Sequence, residues 1–412
     1  MNNLNNSETF CYLPFGSIYV FPNGTLHPCC IAYPFKENIN FKDFNSIDEA
    51  INSAPYKRIR KEMLDGIKPT ECAECFIYKN VHREGSNREF HQQINEPDLI
   101  NDDYSVNKIV YTDLRLSNHC NFRCRMCYHG SSSSWYDYWG YILGDPDYQN
   151  NNPRIITAGE NGMDKFSDKN IDTIRKIYLA GGEPFITPST FELLDKFSDE
   201  QATKVSVLIN TNLSILTYKG INILDKLKKF KVVNISCSCD GYGKIGEYQR
   251  PGFNSEKFFN NLKSLIDFKK EHINFIVQID YTISTMNMYH SFDFINYVSE
   301  KYLEPNDIRF HTVTQPFYFA PGALNESTKN KLIDFYIKGL ESLKLGNNNL
   351  LIKSINDFIN YLKVTDDKDV HEHIMSKKQY LNISLEETLK RFDEINNTNY
   401  KEICPWLEES FS

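Results

Sequence analysis

An α/β fold built on a parallel sheet is what this sequence predicts, on two observations. First, six apolar, β-branched runs follow one another: KIVYTDLRLS (108–117), IRKIYLAGG (174–182), KVSVLINTN (204–212), KVVNISCSCDG (231–241), NFIVQIDYTIS (274–284) and DIRFHTV (307–313). Second, most of them are separated by helical patterns such as TFELLDKFSDEQ, INILDKLKKF, SEKFFNNLKSLIDFKKEH and YHSFDFINYVSEKY. Strands that alternate with helices are joined by right-handed crossovers, which lay the strands parallel.

The first crossover is long. Residues 128–170 carry Ser131–Ser134 and a polar stretch rich in Gly, Asp and Asn over 140–163, which reads as an insertion. Beyond about residue 325 the chain is mainly helical and polar, ending in ICPWLEESFS. Residues 1–100 are of another kind, dense in turns and cysteines. SIYVFPNGTLHPCC reads as two short strands around Pro22-Asn23-Gly24, since Asn-Gly supplies the positive φ of a tight hairpin. Residues 46–66 read as one helix, with Ser46 as cap and Glu49 completing a capping box. Three divisions are therefore expected: a small cysteine-rich module over 1–100, the strand-and-helix region over 101–324, and a helical extension over 325–412.

Charge and composition exclude several classes. Among 412 residues, 46 Lys and Arg against 54 Asp and Glu leave a formal charge of −8. Such a surface does not suit nucleic acid or anionic lipid. Apolar residues make up 41% and the mean hydropathy is −0.50, an ordinary globular balance. MNNLNNSETFCYLPF has neither a basic region nor an apolar run of signal length, and no stretch approaches the ~18 apolar residues of a membrane helix. A cytoplasmic location is expected, with neither nucleic acid nor membrane as partner. In a reducing compartment cysteines serve as metal ligands or core residues rather than disulfides.

There are 11 cysteines, at 11, 29, 30, 72, 75, 120, 124, 127, 237, 239 and 404, and eight of them fall within the first 127 residues. Cys120, Cys124 and Cys127 form C-x3-C-x2-C directly after the first predicted strand. Three thiolates on one loop can hold three irons of a cubane and leave the fourth open for a substrate or cofactor. Zinc would take the same soft donors, with His119 or His129 as a fourth ligand. Further along, Gly181-Gly182-Glu183-Pro184 ends the second strand, Asn210-Thr211-Asn212 the third and SCSCDG the fourth. Arg250 follows in YQRPG.

In that order, at successive strand ends, these motifs resemble the radical S-adenosylmethionine (SAM) superfamily. The resemblance implies a partial (β/α)6 TIM-type barrel with a 4Fe–4S cluster on Cys120, Cys124 and Cys127. It implies that Gly181, Gly182, Glu183 and Pro184 hold the methionine amino group of SAM, with glycines allowing close approach and the carboxylate pairing with an ammonium. Asn212 stands in the family's T-N-G segment, where Leu213 replaces the glycine. Ser236 and Asp240 correspond to ribose-binding positions, Arg250 to the arginine that meets the SAM carboxylate, and Asn287 to a polar position after the fifth strand. Met126 takes the place of an aromatic near adenine, with Tyr128 on the other side of Cys127.

Cys11, Gly24-x4-Cys29 and Cys72-x2-Cys75 resemble the SPASM/twitch module, here ahead of the barrel rather than after it. Four cysteines suit one auxiliary 4Fe–4S cluster; a structural zinc ribbon on the same thiolates is the alternative. Cys30 adjoins Cys29, so only one of the two is expected to point at a given metal. Arg83 and Arg88, in the linker FIYKNVHREGSNREF, either meet substrate or lie on a solvated helix face. Cys237 and Cys239 share one side of a strand, as hydrogen-atom donors or as small core residues. Cys404 either reaches towards a cluster or is a core or surface residue. Trp135, Tyr136, Tyr138 and Trp139 either line a substrate entrance or pack the inserted helix onto the barrel.

The activity implied is reductive cleavage of SAM to a 5′-deoxyadenosyl radical that abstracts hydrogen from a peptide or protein side chain, supplied by an electron donor such as flavodoxin or ferredoxin. A small metabolite (sugar, alcohol or nucleotide) is the alternative substrate. A structural zinc- or cluster-binding module without SAM cleavage is the alternative of another class.

Overall fold

The structure is a computed structural model that describes residues 8–77, 100–158, 162–343, 349–364 and 384–410. The chain divides into two compact units, one of Met1–His119, Ile155–Asn210 and Thr217–Asn234, the other of Cys120–Arg154, Thr211–Leu216 and Ile235–Ser412.

In the first unit the strands are β1 (Ser17–Val20), β2 (Leu26–His27), β3 (Tyr111–Leu114), β4 (Lys176–Leu179) and β5 (Ser206–Thr211), the last belonging to it through Asn210. Their order is β5-β4-β3-β1-β2, parallel except for the β1–β2 hairpin. The register aligns Ile18, Thr112, Ile177 and Val207 across the strands, and next to them Tyr19, Asp113, Tyr178 and Leu208. Successive residues alternate between faces. One face is therefore aliphatic and fully buried, with Ile18, Val20, Leu114, Ile177, Leu179, Val207 and Ile209. The other carries aromatic and charged side chains. The cysteine-rich segment contributes to this sheet: its first strand lies parallel to β3. The turn between β1 and β2 is the expected one, with Gly24 at φ +87°.

The helix expected over 46–66 is broken in two, Ile47–Ile51 and Ala54–Leu64. Pro55, at the start of the second piece, has no N–H to continue the first. Ser46 does cap, accepting from the Glu49 N–H at 3.1 Å, but Glu49 returns its carboxylate to the Asn45 N–H rather than to that of Ser46.

The second unit continues with β6 (Val232–Ser238, of which 232–234 belong to the first unit), β7 (Phe275–Ile283) and β8 (Ile308–Thr312), neighbours in the order β8-β7-β6. β7 and β8 are parallel, with Ile308 opposite Ile279. All six strands read from the sequence form, and the recorded pairings among them are parallel, as the α/β class requires. Helices Ser255–Glu271 and Ser291–Lys301 precede β7 and β8, and Asn254 caps the former by accepting from the Lys257 N–H.

Helix Tyr136–Leu143, in the long first crossover, does not pack against strand ends alone. Trp135, Trp139 and Ile142 join Met286, Val313 and Phe319, but also Leu389, Phe392, Tyr400, Cys404 and Leu407 from the C-terminal segment. Trp135 lies edge-on to Phe392 at 5.1 Å. The extension that looked polar is thus amphipathic, and helix Leu385–Asn396 buries its apolar side here. Phe392→Ala should cost about 3–5 kcal/mol in urea unfolding, the range for deleting a buried aromatic side chain; a loss below ~1 kcal/mol would show that this helix adds little to the core.

Candidate cluster and cofactor sites

Solvent exposure sorts the cysteines. Cys11, Cys29, Cys30, Cys72, Cys75, Cys120, Cys124 and Cys127 are half-buried, whereas Cys237, Cys239 and Cys404 are fully buried; none is in a disulfide. The half-buried group is the one crowded into the first 127 residues.

In the second unit the loop of Cys120, Cys124 and Cys127 has almost no regular structure, so its shape depends on side chains that hold its backbone. Ser134 Oγ donates to the Cys120 carbonyl at 2.7 Å, the Cys120 N–H donates to Ser133 Oγ at 3.2 Å, and Ser132 Oγ donates to the Phe122 carbonyl at 2.5 Å. Trp135 Nε1 donates to the Cys124 carbonyl at 3.1 Å. The run of serines, legible in the sequence only as an insertion, is the frame of the loop. From the other side the Arg123 and Arg125 N–H groups each donate at 2.8 Å, to the carbonyls of Pro251 and Gln249.

Arg125, between the second and third cysteines, has no exposed surface. Its Nε donates to the Tyr248 carbonyl at 2.7 Å, and its Nη2 to Asp393 Oδ1 at 2.9 Å and Thr398 Oγ1 at 2.7 Å. The guanidinium carbon lies 3.8 Å from the Tyr248 ring centre. The motifs do not single out Arg125, because its partner is 268 residues away.

Arg250 faces this loop. Its Nη1 is 3.9 Å from Cys124 Sγ, and its Nε donates to Asp240 Oδ2 at 2.6 Å. Burial disfavours the arginine's charge, but Asp240 and Cys124 more than offset this and keep its pKa above the ordinary value. Burial likewise raises the Cys124 thiol, with Arg250 pulling the other way. Asp240 is itself fully buried. Its other oxygen accepts from the Thr282 N–H at 2.9 Å, and its backbone carbonyl accepts from Gln249 Nε2 and Asn287 Nδ2. Asp240, which the resemblance matches to a ribose-binding position, pairs through its carboxylate with Arg250, and Asn287, matched to a polar position after the fifth strand, braces the Asp240 backbone. Ser236 is buried on β6.

Asn212 bonds into the cysteine loop, its Nδ2 donating to Asn121 Oδ1 at 2.9 Å. Leu213, in the family's glycine position, takes the left-handed conformation at φ +50° while fully buried. A side chain there strains the backbone. Leu213 is held by its own N–H to Thr211 Oγ1 at 3.0 Å and by Asn261 Nδ2 to its carbonyl at 2.8 Å. Met126 packs against the aromatic cluster around Trp135, and Tyr128 is exposed with its ring 6.2 Å from that of Trp139. His129 is engaged at both nitrogens, by Tyr148 Oη at 2.9 Å and the Arg154 carbonyl at 3.0 Å.

In the first unit the Gly181-Gly182-Glu183-Pro184 turn lies on the end of β3. The Gly182 and Glu183 N–H groups donate to the carbonyls of Ser117 and His119, at 3.0 and 2.7 Å. A Cβ on Gly182 would sit 2.1 Å from the His119 carbonyl oxygen, so only glycine fits. The close approach anticipated towards a ligand is met here by the chain's own residues 117–119, which lead into Cys120. Glu183 is buried and its Oε1 accepts from the Phe185 N–H at 2.9 Å; Pro184 opens the 3-10 turn it caps.

Cys11, Cys29, Cys72 and Cys75 line one pocket together with apolar residues such as Leu13, Ile31, Met63 and Phe76. Cys30 does not line it; its charge bears instead on Tyr111 and Arg115. Among the described residues no group of three or more His, Cys, Asp or Glu closes on a point as a single-ion site would. Soft thiols gathered among apolar side chains suit an iron–sulfur cluster better than a hard cation. One arginine gathers carboxylates that adjoin pocket residues in the chain, Glu62 beside Met63 and Glu71 beside Cys72. Arg58 donates to Glu37 at 3.0 Å, Glu62 at 3.0 Å and Glu71 at 2.6 Å. Glu71 is 2% exposed and precedes Cys72; despite burial, Arg58 holds its carboxyl below the ordinary range. The Glu71 carbonyl accepts from the Tyr33 N–H at 2.8 Å, tying the segment after Cys29 to the one carrying Cys72.

Cys239 Sγ donates to the Gly241 carbonyl at 3.2 Å, and Cys404 Sγ to that of Met286 at 3.1 Å. With Cys237 they occupy core positions. Arg83 and Arg88 lie outside the described residues.

Two variants test these supports. Asp393→Ala leaves Arg125 without its charge partner and should cost about 3–5 kcal/mol in urea, with iron retention at Cys120, Cys124 and Cys127 reduced; unchanged stability would mean that the pair does not brace the loop. Arg58→Ala strands the buried Glu71 and should cost about 1–3 kcal/mol, lowering metal retention in a Cys120→Ala/Cys124→Ala/Cys127→Ala background; full retention there would contradict the role given to Arg58.

Known proteins share these features. Residues 114–291 match the radical SAM superfamily, and residues 11–76 match an iron–sulfur cluster-binding domain, SPASM. The chain is 28% identical over 244 residues to the radical SAM cyclopropyl synthase TigE of Paramaledivibacter caminithermalis, covering 57% of this chain and 48% of that protein. It is 24% identical over 159 residues to a probable GTP 3′,8-cyclase of Methanocaldococcus jannaschii, covering 37% and 44%. The chain thus spans about half the length of the curated relatives it matches. Among solved structures, Streptococcus suis SuiB bound to S-adenosylmethionine is 11% identical with a TM-score of 0.34, covering 71% of this chain and 55% of that one, a slight likeness. A radical SAM domain implies a 4Fe–4S cluster and SAM, and a SPASM domain implies auxiliary iron–sulfur clusters. Residues 114–291 of this chain thus carry the likeness to the radical SAM superfamily, and residues 11–76, ahead of them, carry the likeness to the SPASM domain.

Proposed function

We propose that this chain is a radical SAM enzyme that cleaves SAM reductively and abstracts hydrogen from a peptide or protein side chain, with Cys120, Cys124 and Cys127 as ligands of the SAM-binding 4Fe–4S cluster. Such a cluster with SAM supplies, on one-electron reduction, a 5′-deoxyadenosyl radical able to take hydrogen from carbon. The observation that carries this reading is Arg250: a buried guanidinium, fixed by Asp240 and lying 3.9 Å from Cys124 Sγ. It sets a positive charge beside three thiolates, where it stabilises their ionised form and can meet a carboxylate.

The other residues position and exclude. Ser132, Ser133, Ser134, Trp135 and Arg125 fix the loop backbone so that the thiols need not be reordered when metal binds. Glu183 and the glycine turn are assigned to the methionine amino group, Asn212 and Ser236 to polar contacts with the nucleoside, and Asp240 to orienting Arg250. In the SPASM module Cys11, Cys29, Cys72 and Cys75 would hold one auxiliary 4Fe–4S cluster, which accepts or relays an electron or anchors substrate. The presence of this module supports a peptide or protein substrate. A flavodoxin- or ferredoxin-type donor would supply the electron.

Anaerobically reconstituted, dithionite-reduced protein should form 5′-deoxyadenosine and methionine from SAM, and Cys120→Ala should abolish both. No 5′-deoxyadenosine from the iron-loaded parent would refute the proposal. Iron and sulfide counting on the same sample should approach eight irons per chain, about four for each cubane; four irons with one zinc would assign the N-terminal thiolates to a ribbon instead.

A further inference from the structure

Two arginines of the first unit that are withdrawn from water have their donors taken up, and a third does not. Arg60 gives Nε, Nη1 and Nη2 to the carbonyls of Pro14, Tyr104 and Ile51, at 2.7, 2.9 and 2.6 Å. Arg58 gives its donors to three carboxylates. The Arg115 guanidinium has one hydrogen-bond contact only among the described residues, from Nε to Asp113 Oδ1, and at 3.4 Å it is long for a hydrogen bond. Its side chain is three-quarters buried (25% exposed), yet among the described residues neither Nη atom has a protein acceptor.

The surroundings orient the guanidinium rather than satisfy it. Arg115 follows β3 directly, and its guanidinium carbon lies 5.0 Å from the Tyr19 ring centre and 5.9 Å from that of Tyr178. The register places Tyr19, Asp113 and Tyr178 side by side on the polar face of the sheet. Asp113 is buried, and this burial pushes its carboxyl up to about 6 in spite of Arg115. Lys176 shares the face and adds a second cation. Arg115 also stands beside the glycine turn, where a Cβ on Gly181 would lie 3.3 Å from Arg115 Cα. In parallel α/β folds the C-terminal ends of the strands are where ligands bind.

We propose that Arg115 anchors a carboxylate of the substrate, held by the two Nη groups that have no acceptor among the described residues. A flat guanidinium between tyrosine rings presents parallel N–H donors in one plane, which matches a carboxylate better than a point cation would. Asp113 sets the tilt of the fork through Nε. The assignment rests on the radical SAM reading for its place in the reaction, since that reading makes this strand end face substrate. The substrate it selects is an acidic side chain or chain terminus of a peptide, or a free carboxylate of the same chemistry.

Saturation-transfer NMR on the iron-loaded protein tests the proposal with three probes: the tripeptide Gly-Glu-Gly with its N-terminus acetylated and its C-terminus amidated, its counterpart Gly-Gln-Gly blocked in the same way so that it carries no carboxylate, and succinate. Gly-Glu-Gly or succinate should bind and Gly-Gln-Gly should not. Arg115→Gln should weaken binding about tenfold or more, and Arg115→Lys should restore part of it, which also shows that the site still folds. Preference for the tripeptide over succinate assigns the carboxylate to a peptide; the reverse assigns it to a small acid. Equal binding of Gly-Glu-Gly and Gly-Gln-Gly, binding unchanged in Arg115→Gln, or no binding of either acid would overturn it. Binding is read without SAM or reductant, so a failure of SAM cleavage would refute the enzymatic reading and leave the carboxylate result standing on its own.

Discussion

Arg125 sits in the middle of the C-x3-C-x2-C loop with no exposed surface, and a guanidinium removed from water is tolerated only where its donors and charge are taken up. Asp393, Thr398 and the Tyr248 carbonyl take up Nε and Nη2, Nη1 has no acceptor among the described residues, and the Tyr248 ring covers the guanidinium at 3.8 Å. Asp393 in turn accepts from the Tyr400 N–H at 2.7 Å and from Thr398 Oγ1 at 2.7 Å. The arrangement is specific rather than merely adhesive: a shift of the loop by one residue would leave a buried cation without a partner. Helix Leu385–Asn396 therefore has to be in place for the cysteines to be in place. Its apolar side packs on Trp135, whose indole N–H holds the Cys124 carbonyl. Packing and polar pairing thus converge on the same short loop.

The two cysteine sets are supported in different ways. The loop of Cys120, Cys124 and Cys127 is irregular backbone fixed by hydroxyls, an indole and arginines, with a cation aimed at one sulfur. The N-terminal set lines an apolar pocket, and the carboxylate–arginine network around Arg58 includes Glu71, next to Cys72. Thiolates without nearby positive charge are disfavoured by burial, and Cys29 and Cys72 are both raised for that reason, with neighbouring cysteines adding to it. Metal binding is what would remove that cost, since a coordinating thiol is deprotonated outright. On the proposed function, the first site would take a charged small molecule and the second would close around its metal.

Much of this was legible in the sequence because the deciding interactions are local or periodic. Strand runs, the Asn23-Gly24 turn and the Ser46 cap depend on neighbours within a few residues. The cysteine motifs are read from spacing, and their half-buried state agrees with the crowding of eight cysteines before residue 128. What escaped depends on distant partners. Arg125 looks like any loop arginine until Asp393 is brought to it, and the polar-looking C-terminal segment shows its apolar side only against Trp135. Pro55 was visible, but the long helical pattern around it obscured the break it imposes. At Leu213 the backbone keeps the conformation expected of the glycine that is missing, because burial and two hydrogen bonds outweigh the strain. The pairing of Asp240 with Arg250 was not visible either, since a carboxylate ten residues before an arginine does not reveal in sequence that the two will meet.

The most direct measurement is electron paramagnetic resonance of the reduced, iron-loaded protein with Cys11, Cys29, Cys72 and Cys75 replaced by alanine, recorded before and after addition of SAM. With only the Cys120, Cys124 and Cys127 site left to hold a cluster, the expected result is a 4Fe–4S signal whose g-values shift when SAM binds the open iron. A cluster signal that SAM leaves unchanged, or no cluster signal at all, would contradict the assignment of these three cysteines to a SAM-binding cluster.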